Sequence, residues 1–320
     1  MTLATKELPK ICILAGPTAV GKTDISLALA RNLCGEIISA DSAQVYKYMD
    51  IGTAKLKEDE MQGIRHYMID VVTPDKDFSV AQFRDRAEGY IRDINERGRL
   101  PIITGGTGLY INSLLDNLDF TKSISDEPFR KEMQEIADSK GSAYVHAMLE
   151  TVDPASYNKL HPNDLRRSIR ALEVHKNTGK PISYFQDESR KQPPKYNFVY
   201  IMLTMDREKL YGRIEQRVDK MMAEGLVEEV EGLLGSGYNR ELTSMQALGY
   251  KEIADYLQGT ISKEEAVRVL KRDTRHYAKR QLTWFRRDQR VNWIDIDCFY
   301  KNNILLENII RYIAGKITLI

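Results

Sequence analysis

Along the first 120 residues, short apolar runs alternate with amphipathic stretches. Ile11–Ala15, Glu36–Ala40 and Leu100–Thr104 are runs of apolar and small residues that end where polar residues or glycines begin. That is the pattern of buried parallel strands running into loops. Asp24–Leu33 follows the first run as a helix. Ser79–Arg97 places Val80, Phe83, Ala87, Tyr90, Ile91 and Ile94 on one helical stripe, opened by a Ser79/Gln82 capping box and stopped at Gly98. Strand, helix, strand, helix, strand predicts a parallel α/β sheet with right-handed crossovers.

From about Thr121 the texture changes. Residues 121–197 are polar, helical in pattern, and close on Lys191-Gln192-Pro193-Pro194, a linker signal. Asn197–Thr204 then reads as another buried strand. Helices follow to about residue 290, with a short strand at Val291–Ile296 and an amphipathic helix near Ile304–Ile313. The pattern predicts a core built from 1–120 and 198–320, interrupted by a helical insertion at 121–197.

Composition narrows the class without choosing a function. The chain has 320 residues, 42% hydrophobic and 29% charged, which are globular proportions. Its net charge of +1 means that any case for a nucleic-acid partner must be local. Cys12, Cys34 and Cys298 form no C-x-x-C pair, and the five histidines show no zinc spacing. A reducing, cytoplasmic setting is expected, with no membrane, because no run of about 18 apolar residues occurs.

The chemistry begins at Gly16-Pro17-Thr18-Ala19-Val20-Gly21-Lys22-Thr23, a G-x-x-x-x-G-K-[ST] loop between a strand and a helix. Such a loop turns backbone amides around phosphate oxygens at a helix N-terminus. Lys22 is expected to neutralise phosphate charge and the Thr23 hydroxyl to bind Mg²⁺. The loop indicates a polyphosphate without specifying ATP. The strand Leu100–Thr104 runs into Gly105-Gly106-Thr107-Gly108 with no acid, so the usual strand-end aspartate for Mg²⁺ is missing there. Asp41 ends a different strand. The carboxyl ends of parallel strands share one edge, so Asp41, Thr107 and the phosphate loop should meet at one crevice.

Several further motifs occur in order: Asp41-Ser42-Ala43-Gln44-Val45-Tyr46, Asp50-Ile51-Gly52-Thr53-Ala54-Lys55, Gly105–Tyr110, His161-Pro162-Asn163-Asp164, Arg170–Val174, Gln246-Ala247-Leu248-Gly249-Tyr250 and Ala278–Trp284. With the phosphate loop, this series resembles the bacterial tRNA dimethylallyltransferases (isopentenyltransferases) over residues 11–293. Val20 departs from the serine many members carry, at a variable loop position. The resemblance implies a P-loop NTPase-like parallel sheet flanked by helices, with a helical insertion domain that contributes to tRNA binding.

It also implies an activity. A dimethylallyl group would pass from dimethylallyl diphosphate to N6 of the adenosine 3′-adjacent to the anticodon, in tRNAs reading codons that begin with U. An exocyclic purine amine is a poor nucleophile and needs a base, for which Asp41 is the candidate. Lys22, Thr23 and Mg²⁺ would stabilise the departing diphosphate. By resemblance Arg217, four residues after Arg213, closes over the diphosphate. The alternative for Arg217 is a solvated ion pair with Glu215 or Asp219.

A basic stripe lies between Lys271 and Arg290, with eight Lys/Arg against two Asp and with Tyr277, Trp284 and Phe285 interleaved. It suits phosphate contacts along a tRNA stem-loop, or else forms a solvated face over core aromatics. Lys279 and Arg280 of the stripe are the tRNA contacts expected from charge, and the resemblance puts further ones at Asp41, Ser42, Ala43, Gln44, Thr107, Arg130, Arg166, Arg167, Arg170, Met245, Gln246 and Gly249. Tyr46, Tyr110 and Tyr250 are open between stacking platforms and core. His161 is expected to be structural, and the protein a monomer binding the anticodon stem-loop of tRNA. The competing functions are prenylation of free adenine nucleotides, a P-loop small-molecule kinase, and a non-catalytic RNA-binding module.

Overall fold

The computed structural model describes residues 7–117, 125–298 and 304–317. The boundary expected at 120–121 lies outside them. The elements before it are β1 (Lys10–Ala15), α1 (Lys22–Asn32), β2 (Gly35–Ala40), β3 (His66–Tyr67), α2 (Val80–Glu96), β4 (Leu100–Gly105) and α3 (Gly108–Leu115). A run of helices follows: α4 (Glu127–Lys140), α5 (Ser142–Ala147), α6 (Leu149–Val152), α7 (Pro154–Lys159), α8 (Leu165–Thr178) and α9 (Ile182–Lys191). The chain then forms β5 (Asn197–Thr204), α10 (Arg207–Ala223), α11 (Leu226–Gly235), α12 (Tyr250–Leu257), α13 (Lys263–Phe285), β6 (Asn292–Asp295) and α14 (Ile304–Ala314).

All six strands are parallel, in the order β3-β2-β4-β1-β5-β6. Both faces are covered, so β1, β2 and β5 read as unbroken apolar runs rather than alternating ones. The register sets Gly105 opposite both Ala15 and Ala40, which levels the carboxyl ends of β1, β2 and β4. Cys12, Leu14, Ile37, Ile102, Ile201 and Leu203 bury one face against Leu29, Ile214, Ala278 and Ile309. The expected capping box is formed: Ser79 Oγ accepts from Gln82 N at 3.2 Å, and Gln82 Oε1 accepts from Ser79 N at 2.8 Å.

Two compact units share the chain, residues 1–114 with 196–320, and residues 115–195. The second has its own core, in which Met133, Val145, Leu149, Ile169 and Leu172 pack together. Among the described residues no helix is long and apolar enough to cross a membrane.

Candidate active site

The phosphate loop leaves β1 at Gly16 and enters α1 at Lys22, two residues earlier than the sequence pattern predicts. Lys22 and Thr23 therefore form the first turn, where unpaired amides and the helix dipole favour an anion. Gly21 has φ 95° and caps the helix. At Gly16 a Cβ would sit 2.7 Å from Val20 Cγ1, so the loop closes this tightly only with glycine. Val20 is fully buried and packs into the sheet's core. Lys22 Nζ donates to the carbonyls of Gly16 and Pro17, each at 2.8 Å. Burial, and next the neighbouring Arg217 charge, pull the Lys22 pKa down to about 7, with Asp41 acting the other way.

Asp41 stands at the end of β2, half-buried, with Oδ1 accepting from Ala43 N at 2.9 Å. The neighbouring strand end is tied to it. Thr107 N donates to Ala40 O at 3.1 Å, and Ser42 N donates to Thr107 Oγ1 at 3.0 Å. A Cβ on Gly105 would meet Ala40 O at 2.2 Å, so this approach of backbones also requires glycine. Gln44 is turned inward, accepting from Ser39 Oγ at 2.8 Å and donating to Thr53 O at 3.3 Å.

Arg217, on α10, donates to Thr53 O at 3.4 Å. Burial lowers its pKa, opposed by Asp41. The ion pairs considered for it from sequence go to other partners: Glu215 holds Arg275 at 2.7 Å and Asp219 holds Lys271 at 2.6 Å. Arg213 lies behind the phosphate loop, 3.5 Å from Val20 O. A cleft of about 300 Å³ is lined by Thr18, Asp41, Ser42, Ala43, Thr53, Arg217, Gln246, Tyr277 and Arg280, among others. Half-buried Arg217 and Asp41 thus share a space with Thr18 of the glycine loop, and the charge of Lys22 is coupled to both.

A model of the IPP transferase family matches residues 44–288. The chain belongs to the IPP transferase family. It is 53% identical to a tRNA dimethylallyltransferase of Acetivibrio thermocellus over 96% of this chain and 98% of that one. A tRNA dimethylallyltransferase of Carboxydothermus hydrogenoformans is 54% identical over 89% of this chain and 92% of its own. Among solved structures, the full-length tRNA isopentenylpyrophosphate transferase of Bacillus halodurans superposes with a TM-score of 0.72 at 46% identity, covering 96% of each chain. A eukaryotic dimethylallyltransferase captured acting on tRNA gives a TM-score of 0.80 at 30% identity, over 96% of this chain and 80% of that one.

The residues that the sequence nominates for RNA fall into different places. Ser42, Ala43, Gln246 and Arg280 line the cleft. Thr107 adjoins it through Ser42, and Lys279 is exposed on α13. Met245 is fully buried and Gly249, at φ 96°, is buried too. These two are buried in the segment that presents exposed Gln246. In the inserted unit Arg130 and Arg170 both bind the fully buried Glu173, Arg130 Nε at 2.8 Å. Their positions are explained by that clamp. Arg167 pairs with Asp164, and Arg166 is exposed. Exposed His161 accepts from Asn163 N through Nδ1 at 3.1 Å, a local turn contact.

Tyr46, Tyr110 and Tyr250 are core residues, with 5%, 4% and 0% exposure. Tyr110 stacks on Phe83 and Tyr250 donates to Glu229 at 2.6 Å. Tyr277 is the aromatic side chain that lines the cleft. Sequence reasoning missed Gln281, whose Oε1 accepts from Thr18 N at 3.0 Å while Nε2 donates to Gly106 O at 3.0 Å. One α13 side chain thereby joins the phosphate loop to the end of β4. It also missed Glu229, which accepts from the amides of Asp50, Ile51 and Gly52 at 3.0, 2.8 and 3.2 Å.

Proposed function

We propose that the protein is a tRNA dimethylallyltransferase that moves the dimethylallyl group of dimethylallyl diphosphate onto N6 of the adenosine 3′-adjacent to the anticodon. The observation that carries this reading is Asp41 lining one cleft with Arg217 and with Thr18 of the glycine loop, while Lys22 lies close enough to feel both of those charges. The diphosphate is bound as a leaving group. Lys22 exchanges its loop carbonyls for phosphate oxygens, and Arg217 neutralises the charge that grows as the allylic C–O bond breaks. Asp41 takes the proton from the adenosine amine as the new C–N bond forms.

The cation expected is Mg²⁺. The exposed Thr23 hydroxyl on the first turn of α1 fits it as one hard oxygen ligand. Among the described residues no group of three His, Cys, Asp or Glu could hold an ion, so the remaining ligands would be diphosphate oxygens and water. When bound, the ion would add positive charge to the leaving group. The same reading takes the protein as a cytoplasmic monomer whose macromolecular substrate is the anticodon stem-loop.

Purified protein supplied with dimethylallyl diphosphate should modify an anticodon stem-loop RNA, detected as a mass gain on one adenosine. AMP prenylated with equal efficiency would favour the nucleotide-modifying alternative. ATP turnover with no need for the prenyl donor would favour a kinase.

A further inference from the structure

Apart from the reaction cleft, a second hollow of about 240 Å³ opens between the start of α10 and the second half of α13. Met205, Leu210 and Leu282 give it an apolar lining, and Arg207, Lys279 and Arg286 give it charge, with no acidic side chain among its walls. All three cations are exposed, and among the described residues none of them forms an ion pair. The first half of α13 is different, because Lys271 and Arg275 are neutralised by Asp219 and Glu215. The helix therefore concentrates its unbalanced charge at this hollow and at neighbouring Arg280.

Arg207 is oriented before any ligand arrives. Its Nε donates to the Tyr211 hydroxyl at 3.2 Å, and its guanidinium lies 5.2 Å from that ring's centroid. Several cations around an apolar depression with an aromatic wall match a chain of spaced negative charges carrying flat apolar groups. Single-stranded nucleic acid has that chemistry. Lys279 in the hollow and Arg280 in the reaction cleft are consecutive residues of α13. The two spaces therefore flank the same turn of α13, and this pair of cations marks where a strand bound at the cleft would cross the helix to reach the hollow.

We infer that this hollow is a second RNA subsite, holding the backbone and base of a nucleotide flanking the target adenosine, with Arg207, Tyr211 and Arg286 as its contacts. This rests on the tRNA reading above. The test is titration of an anticodon stem-loop RNA into the wild-type protein and into Arg207→Glu and Arg286→Ala variants at several salt concentrations. Both side chains are exposed, so folding is preserved, and Arg207→Gln removes the charge without reversing it.

Affinity should fall about tenfold or more for Arg207→Glu, and each lost phosphate contact should flatten the salt slope by about one. The KM for dimethylallyl diphosphate should stay within about twofold. Unchanged RNA affinity and salt slope in every variant overturns the inference. A raised diphosphate KM with RNA affinity intact overturns it as well, assigning the hollow to the small substrate. Should the wild-type protein itself fail to bind the stem-loop, the tRNA reading falls and this inference with it.

Discussion

At the scale of single residues, the proposed function assigns the proton to Asp41 and the diphosphate to Lys22. Asp41→Asn keeps the side chain's shape and its hydrogen bond to Ala43 N but removes the base. The turnover rate should fall by about 10²–10⁴-fold while stem-loop affinity holds, as separate single-turnover and binding measurements would reveal. Lys22 makes a pH prediction. Its pKa is pulled down to about 7, chiefly by burial and then by Arg217. An arriving diphosphate brings negative charge and restores the ammonium form.

Binding at pH 8 should therefore take up a proton, and affinity should weaken as pH rises above about 7. Calorimetry in buffers of different ionisation heat measures that uptake, and Lys22→Arg should abolish it. The sign for folding is opposite to that of a lysine gaining a partner. Unfolded lysine keeps its proton to about 10.4, whereas the folded group loses it near 7. The unfolded chain binds more protons between those values, so this group makes the ligand-free protein more stable as pH rises across that window.

At the scale of elements, the segment at Asp50–Thr53 is held by α11. Three amides in a row point at Glu229, which also receives the Tyr250 hydroxyl, and the next carbonyl, of Thr53, receives Arg217. Glu229→Gln replaces one acceptor oxygen with a donor facing donors, which costs about 1–3 kcal/mol of stability. It should also lower kcat/KM about tenfold by loosening Arg217. In an Arg217→Lys background the same change should cost much less, and a double-mutant cycle on kcat/KM measures that difference.

Nothing in the sequence marks the Glu229 contact with this segment, since the three amides lie 177 to 179 positions away. The strands were legible for a physical reason: burial on both faces leaves continuous apolar runs, and β5 matches its expected limits. β3 has only two half-buried residues and leaves no such run. The basic stripe on α13 was legible as charge. Its division into a neutralised half and an unbalanced half was not, because the neutralising acids belong to α10. Likewise the glycine loop was legible as a motif, but Gln281 reaches Thr18 from 263 residues away.

At the scale of the whole molecule, the inserted unit has its own apolar core and leaves the sheet's core intact. Its two ends meet, as Asn117 Nδ2 donates to Pro193 O at 3.1 Å. A short Gly/Ser linker joining residue 114 to 196 should therefore close the core without strain. The shortened protein should still melt cooperatively and bind pyrophosphate, and should lose stem-loop affinity. Calorimetry and RNA titration check the two halves of that expectation. Family membership spans both units, with the match running from residue 44 to 288.

The lysine of the glycine loop has a consequence for turnover. With Nζ already seated on two loop carbonyls, the site has an internal substitute for the diphosphate it is proposed to bind. On the proposed function, pyrophosphate leaves as Lys22 returns to those carbonyls and, above about pH 7, gives back the proton it took up. A grip proposed to steady the transition state can then be tight without making the spent product slow to leave.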